Sequence, residues 1–235
     1  MFFLTEPAPA GTCFATTGFV STRGPADDSV PAEIAGPTTV HSTLSPSLRE
    51  DLLRFADRAE TIELLPALAA CVRHARPVAL RLDLAGLAVA ATIHPREQLF
   101  RAPIDLGALS PGECRALRLV GVEPQDEAPL HRSGAHDASG PLRPLLWRLA
   151  LHGARGDLLP EVQGRVRYRM AYGAALKGLA LAPEFEPLLA RLRTVPLGLD
   201  ELAAGCGLPR AVVQRLINAL YLQSGLMVVR AFGAA

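Results

Sequence analysis

The feature that most constrains this sequence lies near its C terminus, where two short amphipathic segments flank a glycine-containing turn. The first segment, 200–204, is followed by Gly205 and Gly207. Glycine adopts the left-handed backbone of a tight turn between helices at the least cost. Pro209 then suits the first turn of another helix. The pattern predicts a helix-turn-helix, with its second helix over 209–220 and a short strand over 227–231.

The apolar residues of this region recur at spacings that bury one side of each helix. We expect residues 183–235 to form at least three helices and to end in a strand. The side chains expected to share one core are Leu202, Val213, Leu216, Leu220 and Leu226. Upstream, the composition also favours helices over 173–181 and 183–193, the second of which follows Pro183.

An alternating segment lies between these helices and the middle of the chain. Arg165, Arg167 and Arg169 occupy every second position, and Val166, Tyr168 and Met170 occupy the positions between. Successive side chains of a strand point to opposite faces. We therefore expect a strand that buries the apolar residues and exposes the three arginines. Those arginines are suited to a phosphate backbone, to another acidic surface or to the acidic N-terminal half of the chain.

The first half of the chain reads as helices followed by strands. Ser45-Pro46 is typical of a helix start, and a second helix is expected after Pro66 and before Pro77. Strand-like runs follow at 78–84, 87–93, 99–102 and 117–122, and the first two form a hairpin across Ala85-Gly86. The expected fold class is α+β, with N-terminal helices plus a small antiparallel sheet and a mostly helical, winged-helix-like C-terminal domain.

Composition divides the chain into four segments. Residues 1–44 form an arm rich in Pro, Thr and Gly, and 45–122 form the α+β domain. A polar linker over 123–141 then leads to the helical domain of 142–235. The charges divide unevenly: residues 1–140 carry 12 basic and 17 acidic side chains (−5), whereas 141–235 carry 12 and 6 (+6). A basic C-terminal half is consistent with an anionic partner.

The stretch LDELAAGCGLPRAVVQRLINALYLQSGL resembles the winged helix-turn-helix of bacterial regulators such as the IclR and MarR families. The resemblance covers only the C-terminal 40 residues. It implies that the helix over 209–220 is the one that can enter a DNA major groove. The residues that would face the bases are Arg210, Gln214, Arg215 and Asn218.

Two departures from that pattern favour a different partner. Ala211 and Val212 stand where such families often carry Ser or Thr, which bind phosphate. The chain also ends at Ala235, so the second strand of a wing hairpin is missing unless another segment supplies it. Winged helices that serve only dimerisation share the same pattern. We therefore expect a regulatory or adaptor protein that uses this module for protein interaction or self-association, and the alternative is a DNA-binding transcriptional regulator.

A structural observation separates these two interpretations. A continuous positive patch joining Arg210 and Arg215 to the arginines of 165–169 favours DNA. Coverage of the 209–220 helix by another part of the chain excludes DNA at that helix.

Residues suited to catalysis or metal binding were also considered. His131, His136 and Asp137 match no ligand spacing and are interpreted as a solvated loop. Cys71 and His74 lie one helical turn apart, but a buried thiol beside a surface imidazole is the better interpretation. Phosphate-binding glycine loops and nucleophile elbows are absent from the sequence. We expect no enzyme activity, no cofactor and no metal.

The remaining composition indicates a cytoplasmic bacterial protein. No run approaches the roughly 18 apolar residues of a membrane span, and MFFLTEP lacks the basic start of a secretory signal. The four cysteines (13, 71, 114 and 206) are far apart, as expected of free thiols in a reducing compartment. Lys177 is the only lysine, a usage typical of GC-rich bacterial genomes.

Overall fold

The fold is taken from a computed structural model that describes residues 38–40, 43–54, 62–125 and 138–230. The chain divides into two units, Met1–Ala35 and Gly36–Ala235, and all the described residues belong to the second unit. The arm expected over 1–44 therefore lies almost entirely outside the described residues. Within the described part, no helix is long and apolar enough to cross a membrane.

A mixed six-stranded sheet forms the middle of the unit. Its strands are β1 (Thr39–Val40), β2 (Val78–Leu84), β3 (Leu87–His94), β4 (Leu99–Ala102), β5 (Leu117–Pro124) and β6 (Ala138–Pro141). They lie in the order β1-β5-β2-β3-β4-β6. The β1–β5 pair is parallel, and the other four pairs are antiparallel.

This sheet corrects the expected fold class. The sequence predicted a small antiparallel sheet. The structure has a larger, mixed sheet in which β1 and β6 are the two edge strands. Both edges come from segments whose composition suggested an arm and a linker. The strand β6 has the sequence Ala-Ser-Gly-Pro, which carries no β propensity. It forms because β4 offers an unpaired edge, so tertiary pairing overrides local preference.

The four central strands lie at the strand-like runs predicted from sequence, and the hairpin turn is as expected. Ala85 and Gly86 both have positive φ, at 52° and 89°, as a two-residue hairpin turn of matching twist requires. The Asp83 carboxylate accepts a hydrogen bond from the Gly86 N–H at 3.1 Å. One face of the sheet is buried, and its central residues are Leu80, Val89 and Ile93.

Four helices belong to this half: α1 (Pro46–Arg54), α2 (Leu64–His74), α3 (Pro111–Ala116) and α4 (Leu142–His152). The expected first helix begins at Pro46, although the Ser45 hydroxyl is buried without a hydrogen-bond partner and does not cap it. The expected continuation over 55–59 lies outside the described residues. The short α3 was not predicted from sequence; a reciprocal cap between Ser110 and Glu113 starts it.

The C-terminal half contains β7 (Val166–Met170), α5 (Glu186–Thr194), α6 (Leu199–Cys206), α7 (Arg210–Leu222) and β8 (Leu226–Arg230). The turn between α6 and α7 is as predicted, because Gly207 has φ of 65° and ends α6. Four of the five expected core leucines and valines are fully buried: Leu202, Val213, Leu216 and Leu220, with Leu226 half-buried.

Two expectations for this half were wrong. Residues 173–181 form turns, since Gly173 and Gly178 take positive φ values of 75° and 83° that a helix cannot accommodate. The expected fold class also gave this half no sheet, whereas its two predicted strands, β7 and β8, pair into a two-stranded antiparallel sheet. That sheet corrects the second part of the expected fold class.

The helix α4 joins the two halves. It contacts β4 and β6 of the large sheet and also packs along α7. Its buried residues belong to one continuous core, which extends from the large sheet to α5, α6 and α7. Segments 45–122 and 142–230 are therefore stabilised by shared packing.

A matched pair of substitutions on α7 tests this packing. Leu216 is fully buried, and Ala211 is exposed near the start of the same helix. Leu216→Asp buries an unpaired carboxylate, which costs several kcal/mol against a stability of about 5–15 kcal/mol. Ala211→Asp places the same charge near the helix N terminus, where the dipole favours it. Urea unfolding followed by circular dichroism should show a large loss for Leu216→Asp and none for Ala211→Asp; equal stabilities would contradict the assignment.

Candidate functional site

The alternating strand β7 lies between two chain segments. On one side it pairs with β8, in a register that places Arg167 opposite Val229 and Arg169 opposite Met227. On the other side Tyr168 exchanges two backbone hydrogen bonds, of 2.8 and 3.0 Å, with Leu197. The upstream strand thus supplies β8 with the antiparallel partner that the sequence could not locate.

The outer face of this pair combines cationic and apolar side chains. Arg165, Arg167 and Arg169 are all exposed, whereas Tyr168 and Met170 are buried, as the alternation predicted. Residues directly opposite in an antiparallel pair share a face. Arg167 and Arg169 therefore lie beside Met227 and Val229, which are 50% and 42% exposed, and Arg165 directly precedes the strand. We call these five residues the arginine face.

Within the part of the chain that the structure describes, two of the three arginines have no ion pair. Arg167 donates to the Glu201 carboxylate at 3.1 Å and to the Pro196 carbonyl at 3.2 Å. Arg165 and Arg169 make no hydrogen bond or ion pair with any residue that the structure describes. Like charges at alternate positions repel modestly, so the arrangement favours an anionic partner.

A cleft of about 710 Å³ adjoins one end of this face. It lies between β7 and the N-terminal ends of α6 and α7, and Tyr168 forms part of its wall. Two of the four residues expected to read DNA, Arg210 and Gln214, line this cleft together with Arg165 and Arg167.

The charges in the cleft largely cancel. Its lining carries four arginines (155, 165, 167 and 210) and three carboxylates (Asp157, Asp200 and Glu201), a net charge of +1. Arg210 pairs with Asp200, and Arg155 pairs with Glu63 outside the cleft. Neutralised arginines offer little to a phosphate backbone, whose binding depends on free positive charge. The cleft therefore presents little net positive charge to a polyanion.

Arg215 points away from the cleft and into the protein. Its guanidinium donates to the carbonyls of Leu151 and Gly153 at 3.1 and 2.7 Å. These carbonyls lie at the C-terminal end of α4, where a cation also meets the negative end of the helix dipole. Burial lowers the pKa of Arg215, and the nearby Arg115 lowers it further. Arg215 therefore serves as a cap for α4.

Asn218 has no exposed surface. Its Oδ1 accepts a hydrogen bond from the Leu159 N–H at 2.8 Å, and its Nδ2 donates to the Asp157 carbonyl at 2.8 Å. The carboxamide thereby fixes the loop before β7. Asn218 is a buried structural residue, unavailable to a base edge.

The helix α7 is covered along most of its length. Arg210 and Ala211 are exposed, but no residue from Val213 to Gln223 is. The α4 helix packs along α7, and Arg215 and Asn218 form the internal contacts described above. The positive patch that would favour DNA is thus interrupted at Arg215, and Arg210 and Ala211 are the exposed residues of α7.

Sequence analysis missed three residues of this region. Gln223 is buried and exchanges hydrogen bonds with Arg143, accepting from its Nε at 2.9 Å and donating to its carbonyl at 3.0 Å. Met227 and Val229 contribute the apolar part of the arginine face. The alternation of β8 could have placed those two on one face, but only the pairing register puts that face beside the arginines.

The other chemical candidates are the Cys71–His74 pair and the three polar residues of the linker. Burial raises the pKa of Cys71 to about 12, so its thiol stays protonated, and His74 bonds to Asp51 at 2.8 Å instead. Cys71, Cys114 and Cys206 are free cysteines. His131, His136 and Asp137 lie outside the described residues. Among the residues that are described, no three metal-binding side chains cluster together.

Comparisons with family models, with curated proteins and with solved structures found no match to this chain.

The role of Asn218 can be tested against its neighbour Gln214. Asn218→Ala leaves the buried Leu159 N–H and Asp157 carbonyl without their partner, which costs about 1–3 kcal/mol. Gln214→Ala removes a half-buried amide one turn away, and a change within about 0.5 kcal/mol is expected. Thermal and urea unfolding of both variants measures the difference. Equal stabilities would show that the Asn218 contacts do not hold the loop.

Proposed function

We propose that this chain is a regulatory or adaptor protein whose C-terminal module, resembling a winged helix, binds another protein through the arginine face. The observation that carries the proposal is the low exposure of the α7 residues expected to read DNA. The DNA-reading interpretation needs Arg210, Gln214, Arg215 and Asn218 on an exposed surface. Arg215 caps α4 and Asn218 is buried, so only half of that set remains accessible.

The composition of the arginine face supports a protein partner. Protein interfaces combine apolar contacts with arginine, which forms bidentate hydrogen bonds to carboxylates. Met227 and Val229 supply exposed apolar area beside Arg169, which has no ion pair among the described residues, and Arg165 precedes the same strand. A partner with acidic side chains around an apolar patch complements this face in charge and polarity.

The test compares two double variants with the same change in net charge. Arg165→Ala with Arg169→Ala removes the free charges of the face. Lys177→Ala with Arg193→Ala removes two exposed charges elsewhere in the C-terminal half. Each protein is immobilised, and proteins captured from the lysate of the source cells are quantified by mass spectrometry. We expect wild type and the control pair to retain the same partner and the arginine pair to lose it at least tenfold.

A parallel titration addresses the DNA alternative. Binding of a fluorescent 30-base-pair duplex is measured by anisotropy at 50 and 200 mM NaCl. Direct DNA binding falls steeply with salt, because phosphate contacts release counterions. We expect weak binding at 50 mM and none at 200 mM. Tight duplex binding that is lost in Arg210→Ala, with no protein captured through the arginine face, would overturn the proposal in favour of the DNA-binding regulator.

A further inference from the structure

We infer that the outer edge of β8 pairs with the β8 strand of a second copy of this chain, forming a symmetric dimer with one continuous four-stranded sheet. The inference rests on the proposed function, since it names one partner of the same module. It uses the edge of the strand and leaves the arginine side chains free for the acidic partner.

The hydrogen-bond pattern of β7 shows which backbone groups of β8 face outward. Tyr168 directs both its N–H and its carbonyl to Leu197. Arg167 and Arg169 therefore direct theirs to Val229 and Met227, in accordance with the alternation of an antiparallel pair. The Ala171 N–H continues this pattern by donating to Gly225 at 2.9 Å. It follows that the N–H and carbonyl of Val228 point away from β7.

Val228 and its neighbours thus present an open strand edge. Backbone groups of Leu226, Val228 and Arg230 on that side have no partner among the described residues. Side chains at the edge are also incompletely covered: Leu226 and Val228 are half-buried, while Tyr168 and Met170 on the adjacent strand are buried. Unpaired apolar edges invite another strand unless charge, proline or a bulge prevents it. The only charge on β8 is Arg230, at its end.

Antiparallel pairing about Val228 is self-complementary. Val228 lies opposite Val228 of the other copy across the two-fold axis. The N–H of each Val228 then donates a hydrogen bond to the carbonyl of the other. On the outer face Met227 then lies opposite Val229 of the other copy, so four apolar side chains form one strip. Arg230 lies opposite Leu226 of the other copy, and like charges do not meet. Such a two-fold interface is the commonest kind in homo-oligomers.

Repulsion between the two arginine rows does not prevent this pairing. The β7 strands of the two copies would be three strand spacings apart, about 14 Å at roughly 4.8 Å each. The Debye length is about 8 Å at physiological ionic strength, so the rows are largely screened from one another. The resulting surface has an apolar centre flanked by two cationic margins, the arrangement typical of a protein interface.

The size of the contact sets the expected affinity. The edge provides five residues per copy, compared with about 20–30 residues a side in a stable interface. We therefore expect a reversible dimer with a dissociation constant between about 1 µM and 1 mM. Its formation should not weaken as salt is raised, in contrast to binding of an acidic partner.

Proline substitutions at neighbouring positions test the edge. Val228→Pro removes an outward N–H, and proline is tolerated on an open edge. Met227→Pro removes an N–H that bonds to β7 and serves as the matched control. Sedimentation equilibrium of the full chain, from 5 to 500 µM at 0.15 and 0.5 M NaCl, measures association, and circular dichroism measures folding. We expect wild type to dimerise, Val228→Pro to fold but weaken association at least tenfold, and Met227→Pro to lose stability.

Each other outcome overturns the inference. Wild type that stays monomeric to 500 µM removes it, and so does a folded Val228→Pro that dimerises like wild type. Should Val228→Pro fail to fold, Val229→Lys replaces it: this exposed position tolerates lysine, and two added charges at the strip must weaken the dimer at least tenfold. Capture of an acidic partner through Arg165 and Arg169 is measured separately, so a monomeric protein that still captures its partner refutes the dimer alone.

Discussion

Asn218 lies on the α7 helix with its carboxamide wholly inside the protein, and its two hydrogen bonds of 2.8 Å hold the loop at Asp157 and Leu159. A buried amide is costly unless every polar atom is paired, so this contact fixes the helix relative to the loop. The loop leads directly into β7, and the Tyr168 hydroxyl donates to the Val162 carbonyl at 2.7 Å within the same connection. The position of the arginine face therefore depends on a side chain that never reaches the surface.

The same constraint decides what α7 can do. A helix that reads DNA keeps one side exposed. Beyond its first turn α7 has no exposed residue: it packs on α4, bonds to the loop before β7 and caps α4 through Arg215. The exposed cationic and apolar side chains of this region lie on the β7–β8 pair, whereas α7 has no exposed residue beyond its first turn. A protein that binds partners through this module would thus use the sheet, where cationic and apolar side chains lie together.

Sequence reasoning succeeded where the information is local. Strand-like runs located the four central strands of the large sheet, alternation located β7, and Gly207 located the turn between α6 and α7. It failed where distant segments meet. The sequence Ala-Ser-Gly-Pro gives no sign of the edge strand β6. Arg215 and Asn218 were expected to be exposed because they are polar. Their internal partners, Leu151 and Asp157, are about 60 residues away in the chain, so the sequence alone could not reveal them. For the same reason the face of β8 could be derived from its alternation, but not its partner β7.

The Asn218 side chain holds α7 against the loop before β7 through two hydrogen bonds. Amide hydrogen exchange followed by nuclear magnetic resonance tests this arrangement most directly. The Leu159 N–H, bonded to a fully buried carboxamide, should exchange only by cooperative opening of the module, as slowly as the amides of Leu216 and Ile217 within α7. The Asn218 side-chain protons should be protected with it. If the Leu159 amide exchanges near the rate of an unstructured peptide while α7 remains protected, the hydrogen bond from Leu159 to a buried Asn218 side chain is contradicted.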